Sequence, residues 1–567
     1  MLRSCWLPGM VLATSILMLA GCRSVSSRHD LSPATNNVAA SSRSNSVSAT
    51  NEKAAKAHAH YSAGVIHDIN DEPDAALQEY YEAAIADPEN DTLILEVSRR
   101  FTQNKQPEKA LELLTRAASR PNASGAIFAN LGFIYSQLGK QEQAIAANRS
   151  AIKKSPGSLT GYQNLFLNYL QAKQPQEALK VLDEAAKQPN AGAEFLISLS
   201  ELYANFAVQV PAQKEAANAK ALQILKRAEK LNPANPPTRL KLADGFNLLG
   251  DSAKAAQIYL DLLKTLPDLP QVRERVRAKL TDIYLRGSDR KRAIEQLEGI
   301  IRDDPTNAQA YYSLASIFYE EKQFAEAAEH FSKTILLSPD FEQAYYDLAS
   351  SQISLNKSSE ALATLEKARR RFAENFVLEF MTGMAFTREK AYAEAITHFT
   401  NAEVIAKATE PKRLNQVFYF QLGAAYERKG DYAQSEKYFE KCLELAPDFA
   451  EALNYLGYMW AERGMKLDKA RELIEKAVKL EPKNAAYLDS LGWVLFKQNQ
   501  PEVALQNILK ATELSEEPDA TVYDHLGDIY AALKQPEKAR EAWRKSLSLE
   551  ANEEVRKKVE SSANGEH

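Results

Sequence analysis

Apolar positions recur along most of this chain at spacings of three and four, in short bursts separated by prolines and polar runs. The pattern predicts helices of about a dozen residues, each with one apolar stripe. Helices this short are not stable alone in water, so each must bury its stripe against a neighbour.

The bursts repeat. A small residue after a leucine or similar side chain recurs as Gly64, Ser98, Gly132, Ser200, Ala243, Ala315, Ala349, Gly383, Gly423, Gly457, Gly492 and Gly527. An aromatic follows three residues later in most copies, as in Phe101, Tyr135, Tyr203, Phe246, Phe386, Tyr426 and Trp460. Further on stands a nearly fixed alanine, first at Ala76, Ala110, Ala144 and Ala178 and last at Ala539, with Ser435 replacing it once. A second small residue follows, and many copies close with proline, among them Pro88, Pro156, Pro233, Pro267, Pro305, Pro339, Pro447 and Pro482. The step of about 34 residues and these features in register resemble the tetratricopeptide repeat (TPR). The resemblance implies an all-α fold, a right-handed superhelical solenoid of about fourteen TPR-like helix pairs. Small residues would sit where the paired helices cross, and the aromatic would fill the space beside the crossing.

Three copies depart from the pattern. The unit between Tyr203 and Ala221 is long and contains Val210-Pro211, which predicts a long turn between its helices. The excess between Ala402 and Leu422, with Glu410-Pro411, fits either a lengthened second helix or a small break. Phe166 stands where a small residue is usual and predicts irregular packing. After Glu553, a polar stretch with Val555 and Val559 predicts a capping helix, which terminal repeats need for solubility. The expected domains are 57–553 for the solenoid and 554–567 for the cap and tail.

At the other end, Met1-Leu2-Arg3 precedes an apolar run from Trp6 to Ala20, the form of a secretory signal. It closes with Leu19-Ala20-Gly21-Cys22, which resembles the lipobox of bacterial lipoproteins. That resemblance implies a signal peptide over 1–21, cleavage before Cys22, and lipidation of its sulfur and new amino group. More than one acyl chain gives stable anchoring. Arg23 stands where Asp would favour the inner membrane, so the periplasmic face of the outer membrane is the expected location. Residues 22–56, rich in Ser, Asn, Ala and Thr, are expected to form a flexible tether reaching roughly 30 Å.

Composition agrees with a folded helical array: 45 % hydrophobic and 26 % charged residues, with a formal net charge of −5 over 567 residues. No long basic run points to nucleic acid. Cys442 is left without an internal disulfide partner and reads as a small buried hydrophobe. Zinc, phosphate-loop and nucleophile-elbow motifs do not occur. Ser354-Leu355-Asn356-Lys357 matches a loose S-x-x-K pattern but falls near a repeat turn, and His58, His60 and His67 read as surface histidines. The expectation is therefore no enzyme, no cofactor, no metal and no small-molecule substrate.

The surface expected to carry function is the concave groove, lined in this family by the first helix of each unit. Repeat register places Tyr312, Tyr319, Tyr346, Phe380, Phe420, Tyr458, Trp493 and Phe496 there, with Arg388, Arg428 and Lys497 among them. Aromatics and arginine favour binding hot spots. Earlier repeats offer fewer, chiefly Tyr61 and Phe133. An ordered Lys and Asn set for gripping a C-terminal carboxylate is not apparent. The stretches Asn454-Tyr455-Leu456-Gly457-Tyr458, Leu467-Asp468-Lys469-Ala470, Tyr487 to Trp493 and Asp524-His525-Leu526-Gly527-Asp528 are similar to the C-terminal repeats of bacterial envelope TPR lipoproteins. One such group serves as the outer-membrane adaptor of a periplasmic carboxy-terminal processing protease. The resemblance implies an anchored protein-binding adaptor, with envelope proteins as partners. The alternative is a scaffold in an exopolysaccharide or cell-wall export machine, whose grooves would meet glycan.

Overall fold

A computed structural model describes residues 44–266 and 269–563. The expected signal peptide, Cys22 with most of its tether, Pro267 and the last tail residues lie outside the described residues. Among those described, twenty-nine α-helices follow one another as fourteen pairs and a final single helix. Compact packing divides the chain into two units, one ending at Ile224 and the other beginning at Leu225.

The first unit opens with Ser44–Ile69 paired to Pro73–Ala86. This helix starts well before Ala57, inside the stretch expected as tether. The sequence Ala49-Thr-Asn-Glu-Lys-Ala-Ala-Lys56 supplies helix-favouring alanines and charged residues there. The unit's core is filled by Tyr80, Phe101, Tyr162, Phe166, Tyr203 and Phe206, all essentially inaccessible to water. Phe166 is accommodated, with its ring 6.4 Å from that of Phe206. The excess around Val210-Pro211 is not a long turn. It lengthens both helices, Ala193–Gln209 and Lys214–Lys230, with only the short 3-10 turn Pro211–Gln213 between them. Proline supplies no backbone N–H to continue the first helix but is tolerated at the opening turn of the second.

The second unit runs through the pairs from Pro236–Leu248 to Pro536–Leu549. Here Glu410-Pro411 comes after a lengthened second helix, Tyr392–Thr409, again with a 3-10 turn, Pro411–Arg413, behind it. The last helix, Glu553–Ala563, caps the array: Val555 is buried, and Val559 packs with it against Ala539 and Trp543.

The repeat features have the packing roles expected of them. The fixed alanines from Ala76 to Ala539 are fully buried, and so is their substitute Ser435. A Cβ built at Gly383 would lie 2.6 Å from the Phe399 ring, and one at Gly457 would lie 2.7 Å from Ile474 Cγ1. Only a residue without a side chain lets these helices cross so closely. Turns within pairs place Lys105, Lys173, Lys322, Asn356, Lys390 and Lys534 at φ values from 57° to 62°, and Gly139 at 70°. This left-handed conformation is what folds the second helix back onto the first. Cys442 is buried beside these crossings, and burial pushes its thiol up to about 12.

Candidate functional site

First helices of successive pairs pack side by side as well as against their own partners. In the second unit, Ala450–Glu462 touches Ala485–Lys497, which in turn touches Ala520–Ala532. Residues at equal register on these helices therefore line up in columns. Asn454, Asp489 and Asp524 form one column; Tyr458, Trp493 and Asp528 form the next.

The expected groove residues divide into three groups. Arg388 and Arg428 are open to solvent. Tyr312, Tyr319, Phe380, Phe420, Tyr458 and Phe496 are half-buried. Tyr346 and Trp493 are turned inward, at 5 % and 6 % exposure, and so are walls between repeats and not open contact surfaces. Tyr346 donates to Glu342 Oε1 at 2.6 Å and accepts from Asn375 Nδ2 at 2.8 Å, which explains why its hydroxyl tolerates burial.

Several of the half-buried rings also knit neighbouring repeats. The Tyr312 hydroxyl donates to Asp347 Oδ2 at 2.8 Å, and its ring lies 4.5 Å from that of Phe341. Tyr319 meets Ser350 Oγ at 2.6 Å. Phe380 packs among Phe376, Phe399 and Phe418, and Phe420 packs among Phe439, Phe449 and Tyr455. Each of these rings is thus partly exposed and partly held in contacts with its neighbours. In the first unit, Tyr61 lies against Tyr80, and Phe133 is exposed.

The densest chemistry surrounds Trp493. Its indole stacks on His525, with ring centroids 3.9 Å apart, and its Nε1 donates to Glu462 Oε2 at 2.6 Å. Phe496 stacks at 5.2 Å, and Lys497 Nζ lies 4.6 Å from the indole centroid. His525 is buried, with Nδ1 at 3.0 Å from Asp489 Oδ1. Burial alone would pull the imidazole pKa down. The charge and hydrogen bond of Asp489, with further help from Asp524 and Glu462, outweigh it and hold the imidazole above its ordinary value. Beyond, Lys558 of the capping helix sets its ammonium 2.8 Å from Asp524 Oδ1 and 2.8 Å from Asp528 Oδ2.

Sequence reasoning passed over Glu462, Asp489, His525 and Lys558 as members of a charge network. The readable signal was the column Asn454, Asp489, Asp524, a polar residue kept at one register on three successive first helices. Among the described residues no group of histidine, cysteine and carboxylate side chains is arranged to hold a metal ion. His60 and His67 pair with Glu79 and Glu72 at 2.8 and 2.5 Å. No helix among the described residues is long and apolar enough to cross a membrane.

Family models for the tetratricopeptide repeat match residues 126–156, 417–449 and 520–553, then 279–340, and then 318–376. Among curated proteins, the chain is 25 % identical over 176 residues to anaphase-promoting complex subunit 6 of Arabidopsis thaliana, covering 31 % of each protein. It is 28 % identical over 94 residues to the photosystem I assembly protein Ycf3 of Acaryochloris marina, covering 17 % of this chain and 55 % of that protein. The chain thus spans about a third to a half of these relatives' lengths. Similar solved structures include the Cut9–Hcn1 hetero-tetramer of the APC/C (15 % identity, 83 % of this chain and 96 % of that one, TM-score 0.40). Yeast Tom70 is another (15 % identity, 84 % and 96 %, TM-score 0.33).

Proposed function

We propose that this array of tetratricopeptide repeats is a non-catalytic adaptor of the bacterial cell envelope. In this reading it is anchored through lipid on Cys22 at the periplasmic face of the outer membrane, and it recruits other proteins along the first-helix face of its second unit. The observation that carries the reading is that face itself: its first helices carry the exposed Arg388 and Arg428 together with the half-buried Phe380, Phe420, Tyr458 and Phe496. Repeat arrays present extended surfaces of this kind for binding, and aromatic and arginine side chains concentrate binding energy. The segment Leu19-Ala20-Gly21-Cys22 supports the anchor. Function then arises from effective concentration: a tethered groove holds two partners near each other without any bond-making chemistry of its own. A periplasmic processing protease and its substrates are the proposed partners.

The test is a crosslinked pull-down of the lipidated chain from solubilised envelopes, with partners identified by mass spectrometry. A combined Arg388→Ser, Arg428→Ser, Tyr458→Ser variant runs beside it, because Phe380 and Phe420 are too deeply packed to remove safely. Capture of a protease with its substrates by the parent, lost in the folded variant, supports the reading. Equal capture by both moves the site elsewhere. Capture of glycan and no protein favours the export scaffold.

A further inference from the structure

One corner of the first-helix face in the second unit gathers hydrogen-bond acceptors that the described residues answer only in part. Asn454, Tyr458 and Glu462 stand four residues apart along Ala450–Glu462, so they share one side of that helix. Asn454 is only 7 % exposed, and its Oδ1 has no hydrogen-bond partner among the described residues. A buried acceptor left in this state destabilises the fold. The Tyr458 hydroxyl makes no hydrogen bond among the described residues. Burial first, then the charges of Glu462, Asp489, Glu427 and Asp524, push its pKa well above the usual phenol range.

Two of those carboxylates lack full partners. Glu427, from the preceding first helix, has an Oε2 without a hydrogen bond, and burial pushes its pKa up. Its one ion-pair contact among the described residues is Arg428 Nε at 3.4 Å, and that arginine is itself largely exposed. Glu462 is exposed, and among the described residues it accepts only the neutral indole N–H of Trp493. By contrast, Asp489 is answered by His525, and Asp524 and Asp528 are answered by Lys558.

The Lys558 contact shows what such oxygens take. Asp524 and Asp528 occupy the same repeat register as Asn454 and Tyr458, and across them the chain has laid an ammonium of its own. Two repeats earlier, no lysine or arginine among the described residues is paired with Asn454, Tyr458 or Glu462.

We propose that Glu427, Asn454, Tyr458 and Glu462 form a receptor for a lysine or arginine side chain, so that the partner segment lying along this face is basic. The proposal rests on the reading of this face as a protein-binding groove and specifies its ligand chemistry. An ammonium or guanidinium brings N–H donors to Tyr458 and Glu462 and positive charge to both carboxylates. An acidic segment or a free C-terminal carboxylate would meet like charge.

The experiment uses the full chain in detergent and three fluorescein-labelled peptides of equal length: lysine- and arginine-rich, neutral, and glutamate-rich. Fluorescence anisotropy is read at rising salt for the parent and for a Glu427→Gln, Glu462→Gln variant, which keeps shape and removes charge. Glu475→Gln, on a carboxylate paired with Arg471, is the control. The proposal expects the basic peptide alone to bind, with binding weakened by salt and reduced about tenfold or more in the double variant but not in the control. Equal binding by the double variant overturns it. So does absence of basic-peptide binding, and the envelope pull-down then separates two cases. If the Tyr458-dependent partners are still captured, only the ligand chemistry is wrong. If they are not, the adaptor reading falls as well.

Discussion

The imidazole of His525 lies beneath the Trp493 indole and beside Asp489, and both neighbours come from the preceding repeat. Its folded pKa is raised above the ordinary 6.5. A group raised on folding stabilises fully below its unfolded value and loses that contribution as pH climbs through the folded one. The melting temperature should therefore fall as pH rises from about 6.5 through the elevated value, and His525→Gln should flatten that slope. Trp493 emission should rise over the same interval, because a protonated imidazole in stacking contact quenches an indole. Identical pH profiles for parent and variant would remove His525 from the charge network. This chemistry was only half legible in the sequence. Trp493 was recognisable as a first-helix aromatic, but its burial depends on a partner from the next repeat, which periodicity alone does not reveal. Tyr346 was misplaced for the same reason: its hydroxyl is satisfied by Glu342 and by Asn375 of the following repeat, so it can lie inward.

Helix pairs are where the sequence was most readable. Small residues at crossings and a fixed alanine are demands of close approach, and these demands act within one pair. The buried column from Ala76 to Ala539 is their direct result. Gly457→Leu should overpack its crossing, since even a Cβ there would sit 2.7 Å from Ile474 and 2.9 Å from the Ala470 carbonyl oxygen. The expected cost is about 1–3 kcal/mol, read as a lower denaturation midpoint. An unchanged midpoint would refute the assigned register. The excess residues were harder to place. Val210-Pro211 suggested a turn, but the flanking runs Glu201-Leu-Tyr-Ala-Asn-Phe-Ala207 and Lys214-Glu-Ala-Ala-Asn-Ala-Lys220 favour helix strongly enough to absorb most of the insertion. A breaker fixes where a helix ends without fixing how long it has run.

Within each unit, the substantial contacts of a helix are with helices one or two places along the chain. Stability in such an array is a sum of pair and nearest-neighbour terms. Removing the cap after Leu549 exposes Trp543, Ala539 and the Asp524 and Asp528 carboxylates, and hydrogen exchange should then show faster opening of Ala520–Ala532 and Pro536–Leu549. Protection around Phe101 and Leu114 should stay as it was; a loss of protection there would mean the chain unfolds as one body. The same short reach bears on how the protein is made. Folding limited by distant contacts must wait for the whole chain, whereas folding built from close ones need not. A pair emerging from a ribosome or a translocation pore already has every partner it needs except the pair behind it. The chain can thus be threaded unfolded and assembled in instalments from its leading end, each finished repeat serving as the template on which the next one docks.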